Sequence, residues 1–272
     1  MVLWQAVALA AVLSAFSAGI AIATRLLMPA SRLGWPLWMA CVAVVALTVL
    51  VGVRLLVAVV RVVIVNRRRR AHHRMVVDLV GDCASAASRP TCARTRDLRV
   101  LDVPQPLAYC LPGVRASRVV VSEGALSTLA DAEVAAILTH ERAHLRARHD
   151  LVLEAFTAVH AAFPRLVRSA SALGAVQLLV ELLADDAAVR AAGRAPLGRA
   201  LVACASGRAP SGALAAGGAT TLLRVRRLAG RGNSRVVSAA AYLSAAAILV
   251  VPTVALVVPW LTELQRLFNF NL

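Results

Sequence analysis

The chain has 272 residues, enough for one large domain or two small ones. Its 60% hydrophobic content is too apolar for an ordinary soluble enzyme and points to membrane-spanning segments. The net charge is +16, and all thirty basic residues are Arg; no DNA-reading motif or aromatic-interleaved basic surface goes with them, so direct nucleic-acid binding is not expected.

Residues 2–24 form a charge-free apolar run ending at Arg25. It lacks the basic start of a signal peptide, and a second span follows closely, so it reads as a first transmembrane helix. Arg25 to Pro36 is a short connecting loop. The second span starts at Trp35 and runs into the fifties, and Arg54 and Arg61 share a face as it leaves the bilayer. Arg67-Arg68-Arg69-Arg70-Ala71-His72-His73-Arg74 then gives the strongest topological signal, and the positive-inside rule puts it in the cytoplasm. A third span, Val236–Trp260, is preceded by Arg224, Arg226, Arg227, Arg231 and Arg235, which puts its N-terminal flank inside as well. The expected layout is therefore two transmembrane helices in 1–65, a cytoplasmic domain in 66–235, and a transmembrane helix with a short tail in 236–272. The protein is expected to be multi-pass in the cell membrane, with the lipid bilayer as a partner.

Cys41, Cys83, Cys92, Cys110 and Cys204 form no CxxC pair. Cys83 and Cys92 are expected to be free thiols, because this topology puts them in the cytosol.

Within the central domain, Asp97–Val103 and Ser117–Ser122 read as strands separated by a connector through Leu107–Gly113. A sheet edge near Leu107–Cys110 is a place where a peptide can add as a further strand. A short helix over Ala125–Leu129 follows, and Asp131 is the expected N-cap of a helix running to His149. Leu151–Phe163 and Ala172–Val189 are short for membrane spans and carry Glu154, His160, Gln177 and Glu181, so they read as buried or membrane-abutting helices. Ala191 to Thr221 reads as loop-rich around one short helix near Gly198–Ala205.

The chemistry lies in His140-Glu141-Arg142-Ala143-His144, a His-Glu-x-x-His pattern. Four residues apart on a helix, His140 and His144 project from one face, a spacing that suits a tetrahedral zinc ion. Glu141 then stands where a general base is needed. The other reading of this helix is a surface with two solvated histidines. A catalytic zinc needs a third protein ligand. His149 lies off the ligand face of a continuous helix, and no Gly breaks that helix before it. His160 sits alone in an apolar run and reads as a core histidine. Glu181 and Asp185 are an acidic pair one turn apart on an otherwise apolar helix, where a lone carboxylate is costly to bury unless a cation compensates it. Glu181 fits as the third ligand, and Asp185 as the acceptor that orients a zinc-binding imidazole. The competing reading is a helix end where acids meet solvent.

His140–His144, followed 37 residues later by Glu181-x-x-Ala184-Asp185, resembles the gluzincin membrane proteases. These include the HtpX heat-shock proteases, the CAAX prenyl proteases and, closer still, the BlaR/MecR-type antibiotic-sensor proteases. Cys110-Leu111-Pro112-Gly113 and Arg118–Leu126 are similar to the segment preceding the zinc helix in that group. The resemblance covers about residues 95–190 and implies an α-helical membrane protein with a mainly α (α+β) cytoplasmic zincin-like domain. It makes His140, His144 and Glu181 the zinc ligands, Glu141 the catalytic residue and Asp185 the structural acid. Arg224-Val225-Arg226-Arg227-Leu228 is similar to a downstream Arg motif of the group, although an Arg-rich stop sequence predicts it equally well. No penicillin-binding sensor is expected: the sequence ends at Leu272, and without Lys it holds no Ser-x-x-Lys acylation site.

The reading is a membrane-bound zinc endopeptidase whose substrate is a protein or peptide, such as a cytoplasmic repressor. The alternatives are a quality-control protease and a non-catalytic signalling or scaffold protein that keeps its zinc for structure.

Overall fold

The structure is a computed structural model that describes residues 2–25, 34–81, 97–113, 116–163, 170–206, 214–215, 220–230 and 235–269. Cys83 and Cys92 lie outside the described residues, while Cys41, Cys110 and Cys204 are free thiols. The chain divides into two compact units, Met1–Val57 with Gly232–Leu272, and Ala58–Arg231.

The first unit holds helix α1 (Val2–Arg25), the start of α2 (Trp35–Val80) and α9 (Arg235–Asn269). α1 packs along α9. It also meets α2 through small residues: a Cβ added at Gly19 would stand 2.6 Å from Thr48, and one at Gly52 would stand 2.9 Å from the Phe16 ring. Close approach through glycine is how apolar helices pack where lipid offers no hydrophobic drive. Among the described residues, α2 is the one helix long and apolar enough to cross a membrane, and no residue of its most apolar window is buried. Shorter apolar stretches run over Val12–Ala23 and Ala239–Ala255. These features are compatible with membrane association.

The second unit is built on a sheet of strands β1 (Leu98–Leu101), β2 (Ala108–Leu111), β3 (Arg118–Ser122) and β4 (Leu214–Ala215), in the order β1-β3-β2-β4. β1 runs parallel to β3, with Leu98 opposite Val119, and β2 runs antiparallel to β3, with Cys110 opposite Val119. The stretch expected as a connector thus contains a strand. All four residues of β2 are buried, so it lacks the polar–apolar alternation by which a half-exposed strand announces itself. Nor is Leu107–Cys110 a free edge among the described strands, because β4 pairs with β2 at Tyr109 and Cys110.

Beyond β3 the chain turns at Ser122. Its hydroxyl donates to the Gln105 carbonyl at 2.7 Å and accepts the Leu107 and Ala125 amides at 3.0 and 3.1 Å, which caps α3 (Glu123–Thr128). Gly124 is required here, since a Cβ would collide with the Pro104 carbonyl.

Helix α4 (Asp131–Arg146) is capped one residue earlier than expected. Ala130 is the N-cap, and its amide donates to the Glu133 carboxylate at 3.0 Å, with Asp131 as the first helical residue. The helix also stops short of His149. The chain turns through Ala147 and Arg148, and Arg148 adopts the left-handed conformation (φ 51°, ψ 43°) without being a glycine. Its guanidinium donates to the Gly113 carbonyl at 3.2 Å, which helps hold the turn.

After this break come α5 (His149–Ala162), α6 (Ala170–Ala192), α7 (Arg194–Ala203) and α8 (Thr221–Ala229). The short helix expected near Gly198–Ala205 is α7, which starts earlier, at Arg194, because Pro196 falls in its first turn, where it is tolerated; α6 runs on to Ala192. α6 packs against α4, and Val176, Val180, Ala184 and Ala188 form a fully buried stripe along it at four-residue spacing.

Candidate metal centre

The inner face of α4 carries Val134, Ile137 and Leu138 into the core, followed one turn later by His140, Glu141 and His144, all with no exposed surface. Three polar side chains buried this completely need partners. α6 supplies them from beside its apolar stripe: Glu181 and Asp185, one turn apart, face the two imidazoles.

The His140 and His144 Nε2 atoms are 3.2 Å apart. The Glu181 carboxylate lies 3.4 Å from the first and 3.6 Å from the second. A tetrahedral site with metal–ligand bonds of about 2.0–2.1 Å has vertices roughly 3.3 Å apart. The three donors therefore already outline one face of such a tetrahedron, and ligand atoms of this trio all lie within 4.8 Å of one another. The donor chemistry fits as well. The His140 Nδ1 lies 3.0 Å from the Asp185 carboxylate, an ion-pair distance without hydrogen-bond geometry, and the His144 Nδ1 is 3.1 Å from the His149 Nδ1, so each imidazole has a polar neighbour at its far nitrogen. When those far nitrogens carry the protons, two lone pairs and a carboxylate converge on one point, an arrangement that a cation relieves.

Glu141 stands beside this triangle. Neither of its carboxylate oxygens makes a hydrogen bond of ordinary geometry among the described residues, although the Cys110 thiol of β2 lies next to it. Burial raises the Glu141 carboxyl to about 7. Burial also opposes charge on His140, but the Asp185 and Glu181 carboxylates outweigh it and lift the imidazole to about 9. His144 moves the other way, held neutral by burial and by the nearby His140. Burial pushes the Cys110 thiol well up, reinforced by Glu141.

One residue outside the expected set enters the centre. Arg224, from α8, is 1% exposed. Its guanidinium donates to both Asp185 oxygens at 2.6 and 2.8 Å and pairs with Glu181 at 2.8 Å. The sequence had offered it only as part of an Arg run that a membrane boundary explains equally well. His149, set aside as off the ligand face, also reaches the site because of the break at Arg148. His160 lies on α5 and has no part in this cluster.

Residues 70–231, which contain every residue of this centre, match Peptidase family M48. The chain belongs to peptidase family M48. It is thereby a metallopeptidase, and M48 peptidases are zinc-dependent. No curated protein and no solved structure matched the chain. Membership agrees with the donor set in the M48 domain: two imidazoles, a carboxylate and an adjacent buried glutamate.

Proposed function

We propose that this M48 peptidase is a membrane-bound zinc endopeptidase of the BlaR/MecR-like kind. Its site faces the cytoplasm, and it cuts a cytoplasmic protein such as a transcriptional repressor. The observation that carries the catalytic part is the buried Glu141 carboxylate, which makes no hydrogen bond of ordinary geometry among the described residues and stands beside the His140–His144–Glu181 triangle. A purely structural metal site has no use for such a group. His140, His144 and Glu181 would hold the zinc, which when bound supplies a Lewis acid that acidifies water and polarises the scissile carbonyl. Glu141 takes the proton from the attacking water and returns it to the leaving amine. Asp185 fixes the orientation of His140, and Arg224 holds Asp185 and Glu181 in register.

The membrane part rests on the exposed apolar surface of α2 and on the Arg tract that follows it. The test is a comparison of cells expressing wild type with cells expressing Glu141→Gln. Proteomics should find a cytoplasmic fragment made only with wild type. Identical fragment profiles would remove the endopeptidase reading, and fragments derived only from unfolded membrane proteins would point to quality control instead.

A further inference from the structure

We propose that His149 is a positioning residue for the metal centre: it accepts a hydrogen bond from the Nδ1–H of His144 and thereby locks that imidazole with its Nε2 aimed at the metal. The inference rests on the zinc reading above and extends it to a residue outside the ligand set.

The two ligand imidazoles are treated alike, but with different chemistry. His140 is held from behind by a carboxylate, with its Nδ1 3.0 Å from Asp185. His144 is held from behind by a second imidazole, with its Nδ1 3.1 Å from the Nδ1 of His149 and the rings edge to face at 84°. Only one proton can lie between those nitrogens. The Nε2 of His144 faces Glu181 and His140, so its lone pair is needed there and its proton belongs on Nδ1. His149 must then present an unprotonated Nδ1 and carry its own proton on Nε2. His149 is not itself a ligand in this arrangement, because it meets the nitrogen of His144 that points away from the triangle.

Several features of the chain serve this contact. Five residues past His144 on an unbroken helix, His149 would face elsewhere. Arg148 in the left-handed region turns the chain so that the first residue of α5 faces back toward α4, a conformation that is costly for a residue other than glycine. Strain of this kind clusters where function fixes the backbone. The first turns of α5 are then anchored from another helix. Arg70 of α2 reaches the buried Asp150 at 3.3 Å and the buried Glu154 at 2.8 Å, two acids one turn apart directly after His149. His149 itself is buried, at 5% exposed.

The experiment uses the full chain in lipid nanodiscs and reads zinc affinity by competition with a fluorescent chelator. The variants are His149→Gln, whose side-chain carbonyl can still accept the Nδ1–H, and His149→Leu, which cannot. His149→Leu should weaken zinc binding about 10- to 100-fold, the usual effect of losing a partner behind a ligand, while His149→Gln stays close to wild type. With cobalt in place of zinc, the visible spectrum should change in the Leu variant and not in the Gln variant. A purely structural role would not produce that split. Wild-type affinity in His149→Leu, or equal loss in both variants, would overturn the inference alone. A wild type that takes up no zinc would overturn the underlying metal site and this inference with it.

Discussion

Arg224 is the residue on which the acidic half of the centre depends. Asp185 and Glu181 bring two carboxylates to one end of a nearly dry site, and the guanidinium answers both. Removing one partner of such a buried set leaves the others uncompensated, which costs about 3–5 kcal/mol. Arg224→Met should therefore lower the unfolding free energy of the metal-free protein by an amount of that order, read from its denaturant midpoint and slope. A midpoint equal to wild type would mean that the acids are held by something else. The two ends of this site differ in how far sequence reveals them. His140, Glu141 and His144 were legible because their relation is local, one helical turn. Glu181 and Asp185 were legible because acids on an apolar helix need a reason. Arg224 was legible only through its likeness to a downstream Arg motif, since an Arg-rich stop sequence explained the same run equally well. His149 was not, because its place depends on a left-handed Arg148 that no glycine signals.

At the scale of elements, the helices were legible from their apolar runs, and β1 and β3 from their Val-rich stretches. β2 and the break after α4 were not, because both are set by tertiary packing. How α2 joins the sheet was equally invisible. Asp78, near its end, accepts from Arg118 at 2.9 and 3.3 Å and pairs with Arg99 at 3.1 Å, tying the helix to β3 and β1. The Arg118 hydrogen bonds, with the Arg118 and Arg99 charges, lower the Asp78 carboxyl below its ordinary value of 3.8 against the opposing effect of burial. Because the folded-state value is the lower one, the tie is fully present above pH 3.8 and is lost as pH falls through that depressed value. The melting-temperature difference between wild type and Asp78→Asn should therefore be constant from neutral pH to about 5 and vanish in strong acid. A difference independent of pH would show that the Asp78 charge contributes nothing.

On the scale of the whole molecule, the unit Ala58–Arg231 carries the M48 centre, and the other unit holds apolar helices compatible with membrane association. The boundaries expected at 65/66 and 235/236 came from Arg tracts and apolar runs alone. Every step of the account nevertheless depends on one claim, that the buried triangle holds a zinc ion which Glu141 puts to use. The most direct measurement is zinc content together with casein cleavage, on the purified full chain, for wild type and Glu141→Gln. The account predicts about one zinc per chain in both, cleavage by wild type, and none above background by the variant. Equal cleavage by the two proteins, or a wild type without zinc, would contradict it.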